Sequence, residues 1–173
     1  MAFDVHEDLK PFLEEINKYV DTVHSLNPGV DLHNIEQVEK EINFKFPKIY
    51  KEFLQVCNGG ELFVPGTVLS AIDSSALEQK RRGTSYINES FWENHRRPRM
   101  TDNLFIIADL NYGDSICFDL NTNNVQDTEV VQWATENKSV SRTWSGFIEW
   151  LMDVLEEGSM LVDYEGNEKE LDF

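Results

Sequence analysis

Three aspartates at equal spacing come nearest to a catalytic pattern in this chain. Asp109, Asp114 and Asp119 supply carboxylates of the kind that hold the two metal ions of many hydrolases. They fall, however, in a segment predicted as a strand, a turn and a strand. Asp is favoured in turns because its short side chain bonds the local backbone. The pattern therefore favours turn residues, and a metal-dependent hydrolase stays an alternative.

No other pattern predicts catalysis, a metal site or a bound cofactor. The four histidines share none of the short spacings that place two imidazoles on one metal ion. Cys57 and Cys117 have no CxxC partner, so neither a zinc site nor a disulfide scaffold is expected, and unpaired thiols are typical of a reducing, cytoplasmic compartment. A GxSxG elbow and the glycine-rich loops that bind phosphate are also missing from the sequence. We therefore expect no enzyme activity, no catalytic residues, no metal and no cofactor.

The charge of the chain points to a protein partner instead. Among 173 residues, 32 are Asp or Glu and 15 are Lys or Arg, which gives a formal net charge of -17 at pH 7. Tight binding to DNA or RNA requires basic residues that displace counterions from phosphates, and anionic membrane surfaces repel an acidic protein. The composition therefore argues against nucleic acid and membrane partners and favours a protein with a basic surface.

Hydrophobicity and periodicity predict one soluble domain with helices in its N-terminal part. The chain is 40% hydrophobic, has no apolar run long enough for a membrane helix, and begins with acids where a secretory signal carries bases. Apolar residues at steps of three and four predict a first helix over residues 9–26. A second helix is expected after a cap at Asn34, and a third over 47–57, stopped by Gly59 and Gly60.

Beyond the glycine pair the apolar pattern alternates, which is typical of strands. Asn and Gly residues separate the apolar runs, so consecutive strands should pair antiparallel. A closing helix follows, with Ser145 or Thr143 as its cap and Gly158 as its end. The predicted fold class is α+β, an antiparallel β-sheet meander flanked by N-terminal helices and a C-terminal helix. The predicted strands are residues 61–64, 67–72, 104–108, 115–119 and 129–133.

Several short sequence runs are more informative in their order than any one of them is alone. The runs are residues 35–39, 46–54, 58–60, 104–109, 113–119, 130–133 and 145–151. They follow the order helix, helix start, Asn-Gly-Gly, strand, Gly-Asp turn with strand, strand, and closing helix. In this order they resemble the SUKH superfamily, in its cell-wall-assembly-regulator and killer-toxin-resistance branch.

The resemblance implies a non-enzymatic α+β domain that works by binding another protein. Bacterial members commonly act as immunity proteins, each neutralising a polymorphic toxin, often a nuclease or a deaminase, whereas fungal members serve as regulatory scaffolds in cell-wall synthesis. The chain is then one domain, 1–173, with a helical extension over 1–34, a SUKH-like core over 35–158 and an acidic tail over 159–173. The arginine-rich stretch 80–99 departs from the pattern and is predicted as a long loop.

The leading hypothesis is a cytoplasmic bacterial immunity protein that occludes the basic active site of a nuclease toxin. A non-enzymatic regulatory scaffold is the alternative. Opposite charge would speed the encounter, and buried anchors would supply affinity. A monomer or weak homodimer is expected. The candidate partner-binding residues are acids on predicted strands and turns, with one tryptophan as an apolar anchor: Glu61, Asp73, Asp114, Asp119, Glu129 and Trp133.

Overall fold

Seven strands form one antiparallel sheet in a computed structural model of the chain. The structure describes residues 7–42, 44–72, 100–101, 103–122 and 126–170. Each strand pairs with the next one in the sequence, so the order across the sheet is a simple meander. The strands are β1 (Ser25–Pro28), β2 (Cys57–Leu62), β3 (Thr67–Leu69), β4 (Leu104–Leu110), β5 (Ser115–Asp119), β6 (Val130–Ala134) and β7 (Ser139–Trp144).

Within the described residues, four α-helices accompany the sheet and confirm the predicted α+β class. None of those described has the length and apolarity that crossing a lipid bilayer requires. A 3-10 turn at Glu7–Leu9 leads into the first helix. The helices are α1 (Lys10–Ile16), α2 (Leu32–Ile42), α3 (Lys48–Val56) and α4 (Phe147–Ser159).

Aromatic side chains fill the main core between the helices and one face of the sheet. Tyr50 of α3 lies with its ring centroid 5.0 Å from that of Phe118 on β5 and 5.1 Å from that of Phe147 on α4. The edge-to-face contacts of these rings add to the energy of burying their area. α3 and α4 thus pack on the sheet through one connected aromatic cluster.

The opposite face of the sheet is buried as well. Its core residues form a second cluster that holds Met100, Leu104, Ile106, Cys117, Val131 and Trp133. Burial on both faces explains why β4 and β6 are nearly continuous apolar runs rather than alternating ones. It also explains why the strand prediction succeeded best for the middle of the sheet.

The first helix is much shorter than the predicted 9–26. It ends at Ile16, and the chain then turns into β1, which the sequence did not predict. Tyr19 keeps the helical spacing, yet its ring packs edge-on against Phe63 at 5.5 Å. The Val20 N–H donates to the carbonyl oxygen of Tyr164 (2.8 Å), a bond that a continuing helix would have made internally. Tertiary contacts thus replaced the expected helical turns.

The third helix ends just before the Asn-Gly-Gly run, as predicted, but the run lies inside a strand and does not form a glycine cap. α3 ends at Val56 and β2 begins at Cys57, with no loop between them. The Asn58 side chain accepts the Ile72 N–H at its Oδ1 (2.8 Å) and donates from its Nδ2 to the Ile72 carbonyl oxygen (3.3 Å). The amide therefore completes the pairing of β2 where β3 has already ended.

Two predicted helix caps are also replaced by other side chains. Asp31 Oδ1 accepts the N–H of Asn34 (2.9 Å), so Asp31 caps α2 and Asn34 is a donor. At α4, Asp127 Oδ1 reaches the Phe147 N–H (3.0 Å), whereas the residue at the helix boundary is Gly146. A side chain twenty positions away thus does the work expected of a local serine or threonine.

His24 is the half-buried titratable group whose protonation should matter most for stability. Its Nδ1 accepts the Phe63 N–H (3.0 Å), and burial lowers its pKa to about 4 from an ordinary value of 6.5. The folded chain therefore binds fewer protons than the unfolded chain below pH 6.5, so stability falls as the pH drops from about 6.5 to about 4.

The variant His24→Asn should lose this pH dependence, because an amide oxygen can keep the bond to Phe63 without titrating. We expect the melting temperature of the native chain to fall between pH 7 and pH 5 by about 2–4 °C more than that of the variant. Thermal melts at both pH values measure the difference. Parallel curves for the two proteins would contradict the assignment.

Candidate protein-interaction surface

The candidate partner-binding residues lie at two opposite ends of the sheet. The β2–β3 and β4–β5 turns share one end, where Asn111 Nδ2 donates to the carbonyl oxygen of Pro65 (3.3 Å). Glu61 and Asp114 lie near this end. Asp119, which pairs with Leu104, and Glu129 lie at the other, and Asp73 is outside the described residues. The described acids of the predicted set therefore do not form one surface.

The two acids at the turn end hold local structure. Glu61 Oε2 accepts the Gly66 N–H (2.8 Å) within the β2–β3 turn. Asp114 Oδ2 accepts from the Gln132 side chain (2.9 Å), and its Oδ1 accepts the N–H of Thr135 (3.1 Å). The Glu61 bond closes its own turn, whereas the Asp114 bonds tie the β4–β5 turn to β6 and to the residue that follows it.

The acids at the opposite end are similarly engaged. Asp119 Oδ1 accepts from the Asn103 side chain (2.8 Å) and from the Asn121 N–H (3.1 Å). Glu129 is half-buried, and its N–H donates to Thr122 Oγ1 (3.0 Å). Asp119 is the last residue of β5 and Glu129 directly precedes β6, so the two acids flank the connection between these strands.

Trp133 lies within the second core cluster and is only 4% exposed. Its Nε1 is buried and has no hydrogen-bond partner among the described residues. In this conformation the ring contributes to packing on the sheet and offers almost no area to a partner.

The three evenly spaced aspartates do not converge on a common site. Asp109 Oδ1 accepts from Ser115 Oγ (2.9 Å) at the start of β5, while Asp119 lies at the far end of that strand, about 13 Å away by strand rise. The described part of the chain contains no group of three potential ligands placed to hold a metal ion.

Cys57 is not placed to act as a nucleophile. Its thiol donates to the Gly59 carbonyl oxygen (3.2 Å), and burial raises its pKa to about 12, so the thiol stays protonated at neutral pH.

A large concave feature lies between two helices that are distant in sequence. It is a cleft of about 910 Å³ with α1 on one side, α4 on the other and the end of β7 closing it. We call it the α1–α4 groove. Its lining residues are Pro11, Glu14, Glu15, Lys18, Arg142, Thr143, Trp144, Glu149, Met152, Asp153, Leu155, Glu156 and Ser159.

Helical periodicity explains why acids line this groove. Phe12 of α1 is fully buried, which turns Glu14 outward. On α4, Trp150 faces the core, while Glu149 and Glu156 repeat on the exposed face at a spacing of two turns. Each helix thus offers a polar edge to the same cleft.

The base of the groove is apolar. Trp144 is 7% exposed and Leu155 is 4% exposed, and both line the cleft beneath the acidic edges. Met152, on the exposed side of α4, is 37% exposed and adds a flexible apolar contact. The groove therefore combines charged edges with the exposed apolar side chain of Met152 above a packed apolar base, and protein interfaces commonly combine charge and apolar area.

Arg142 occupies one end of the groove and is held by three neighbours. Its guanidinium carbon lies 4.6 Å above the centre of the Trp144 ring, a cation–π distance. One guanidinium nitrogen donates to Glu157 Oε1 (2.9 Å), and another donates to Asp153 Oδ2. Trp144 Nε1 also donates to Asp153 Oδ2 (2.9 Å). The chain thus displays an arginine recognised by one aromatic face and two carboxylates.

The groove carries an excess of negative charge at neutral pH. Five carboxylates and two basic side chains line it, and Lys18 is already paired with Glu15 at 3.0 Å. A hydrogen bond from Lys18 lowers the pKa of Glu15, and one from the Ser145 hydroxyl lowers the pKa of Glu149. Within the part of the chain that the structure describes, Glu14 and Glu156 make no ion pair. Their charge is therefore available to a partner.

The fold and the sequence of this chain are similar to those of known proteins. A crystal structure of a protein from Pseudomonas syringae pv. tomato superposes with a TM-score of 0.55 at 16% identity, covering 84% of this chain and 96% of that chain. No curated protein sequence matches. The model of the SMI1 / KNR4 family (SUKH-1) matches residues 29–153, close to the 35–158 expected from the ordered motifs. The match covers well over half of this chain, and the chain therefore belongs to the SMI1 / KNR4 family (SUKH-1).

Proposed function

We propose that this chain is a non-catalytic immunity protein that binds a cationic protein toxin and blocks it. The toxin class that fits best is a nuclease, because a nuclease carries a basic groove for phosphates. The observation that carries the proposal is the α1–α4 groove, a concave surface with acidic edges and an apolar base. A regulatory scaffold would use the same kind of surface for a cellular partner.

Electrostatics supports a cationic partner on general grounds. A net charge of -17 attracts a basic protein from a distance, and steered association reaches about 10⁸ M⁻¹s⁻¹ at low salt. Charge alone gives speed more than lasting affinity. Met152 lines the groove and is 37% exposed, so it supplies apolar area for contacts that exclude water, which contribute most to affinity.

The position of α1 supports a partner particular to this chain. The family match begins at residue 29, whereas Pro11, Glu14 and Lys18 precede it. One wall of the groove is therefore built from a segment outside the matched range. Binding specificity commonly resides in such additions to a conserved scaffold.

Removal of the two unpaired groove carboxylates tests the proposal. The double variant Glu14→Gln/Glu156→Gln should bind the toxin encoded beside this gene with an association rate about tenfold lower at low salt. It should also show a weaker dependence of that rate on ionic strength. Stopped-flow or surface-plasmon measurements over a salt series give both quantities, and growth on coexpression gives the biological effect.

A matched control separates the groove from net charge. The double variant Glu36→Gln/Glu41→Gln removes the same charge from exposed positions on α2 and should change the association rate less than twofold. Equal slowing by the two variants would show that the groove is not the contact surface. Failure of the native chain to protect cells from that toxin would refute the immunity function and favour the scaffold.

A further inference from the structure

An apolar pocket lies beyond the end of α4, next to the β2–β3 turn. Its volume is about 410 Å³. Two of its walls present unusually exposed aliphatic side chains, since Val64 is 45% exposed and Leu161 is 53% exposed. Lys169 and Glu168 also line it. The remaining apolar lining comes from Val23, Phe63, Pro65 and Val162.

This pocket and the α1–α4 groove are linked by a cavity that shares lining residues with both. A third cavity of about 210 Å³ lies between them and is lined by Phe63, Pro65 and Leu161, which also line the pocket. The same cavity is lined by Trp144 and Asp153, which also line the groove. A ligand segment could therefore lie along α4 and reach both ends without leaving the surface.

Backbone hydrogen bonds hold the pocket walls in place. The Leu161 N–H donates to the Gly158 carbonyl oxygen (3.0 Å), and the Leu161 carbonyl oxygen accepts the Lys169 N–H (2.8 Å). On the opposite wall, the Val64 N–H donates to the Val23 carbonyl oxygen (2.8 Å). The pocket is thus formed before any partner arrives, which lowers the entropic cost of binding.

We propose that one segment of the cationic partner fills both features, with basic residues in the α1–α4 groove and an aliphatic anchor in the apolar pocket. The inference rests on the proposed function, because it assigns a binding mode to the same partner. The α4 residues that line the groove are centred near Asp153, and Leu161, two residues beyond the end of α4, lies about 12 Å further along the helix direction at 1.5 Å per residue. An extended segment covers that distance in about four residues. The ligand is therefore a short motif in which a basic pair and the anchor are about four residues apart.

A second copy of this chain fits the surface poorly. The groove is lined by five carboxylates against two basic side chains, and the whole chain carries a charge of -17. Two such surfaces would place like charges together, which is unfavourable in an interface. The charge thus favours a basic partner over self-association.

Two peptides of identical composition test the motif by NMR titration of the full chain. One carries a leucine four residues from an arginine pair, separated by Gly and Ser, and the other carries the leucine next to the pair. Each is made in both sequence directions. For one direction we expect the spaced peptide to bind about tenfold more tightly and to shift the amides of Val64 and Leu161 along with those of the groove.

The variant Leu161→Ser should abolish the advantage of the spaced peptide, while Leu32→Ser, at an exposed aliphatic position on α2, should leave it unchanged. Thermal melts confirm that both variants fold. Equal affinity of the two peptides in both directions, an unchanged advantage in Leu161→Ser, or shifts confined to another surface would each overturn the inference. Protection of cells from the toxin is measured separately. A negative peptide result would therefore contradict the binding motif and leave the proposed function unaffected.

Discussion

Replacement of Glu39 by alanine should lower the free energy of unfolding by about 3–5 kcal/mol. Glu39 is 7% exposed, and its two carboxylate oxygens join α2 to the start of α3. Oε2 accepts the Phe46 N–H (2.7 Å), and Oε1 pairs with Lys51 Nζ (3.1 Å). The loss is large because alanine leaves a buried N–H and a partly buried ammonium without their acceptor. Urea denaturation followed by circular dichroism measures it.

Two further variants assign the loss to its cause. Glu39→Gln keeps an acceptor for the Phe46 N–H and removes only the charge, so it should lose about half as much stability as Glu39→Ala. Glu41→Ala, at an exposed position on the same helix, should change the free energy of unfolding by less than about 0.5 kcal/mol. A similar loss at Glu39 and Glu41 would mean that losing an acid from α2, and not losing the buried contacts of Glu39, accounts for the effect.

The middle of the fold could be predicted from the sequence because burial there is strongest. The predicted strand over 115–119 coincides with β5, and the predicted 104–108 lies within β4, which extends to Leu110. α3 was found from the apolar spacing of residues such as Tyr50 and Phe53, both buried. Side chains that face a core impose their period on the sequence.

The edges of the sheet could not be predicted for the opposite reason. In β7 only Trp144 is buried, so five of its six residues carry no burial pattern. β1 contains Pro28, which suits an edge strand but argues against a strand in a sequence-based prediction. The false extension of α1 through Tyr19 arose because helical spacing was present where tertiary contacts decided the backbone.

The groove escaped prediction because its walls are far apart in sequence. Glu14 and Glu156 both occupy the polar face of a helix, where an acid is usually only solvated, and nothing local indicates that the two faces meet. The one available signal was the excess of acids in the C-terminal part of the chain. Acids on strands and turns were chosen instead, and Asp114 and Asp119 prove to bond neighbouring turns and loops.

Replacement of Gly60 by alanine should cost about 3 kcal/mol and loosen β1 from the sheet. Gly60 has a φ of 122°, in the region that favours glycine, and it pairs directly with Leu26 of β1. A Cβ at this position would lie 2.2 Å from the carbonyl oxygen of Ser25 and 2.7 Å from the Leu26 Cα. Backbone atoms cannot rotate away, so the strand itself must move. Hydrogen exchange should therefore accelerate in β1 more than in β5.

Gly113→Ala separates the clash from the dihedral strain. Gly113 also has a positive φ, 99°, yet a Cβ there would meet nothing within 4 Å. This variant should lose only about 1 kcal/mol and leave hydrogen exchange in β1 unchanged. If the two variants lost equal stability, backbone strain alone would account for the stability lost in Gly60→Ala. A larger loss at Gly60 with faster exchange in β1 instead identifies the second glycine of the Asn-Gly-Gly run as the point where the edge strand approaches too closely for any side chain.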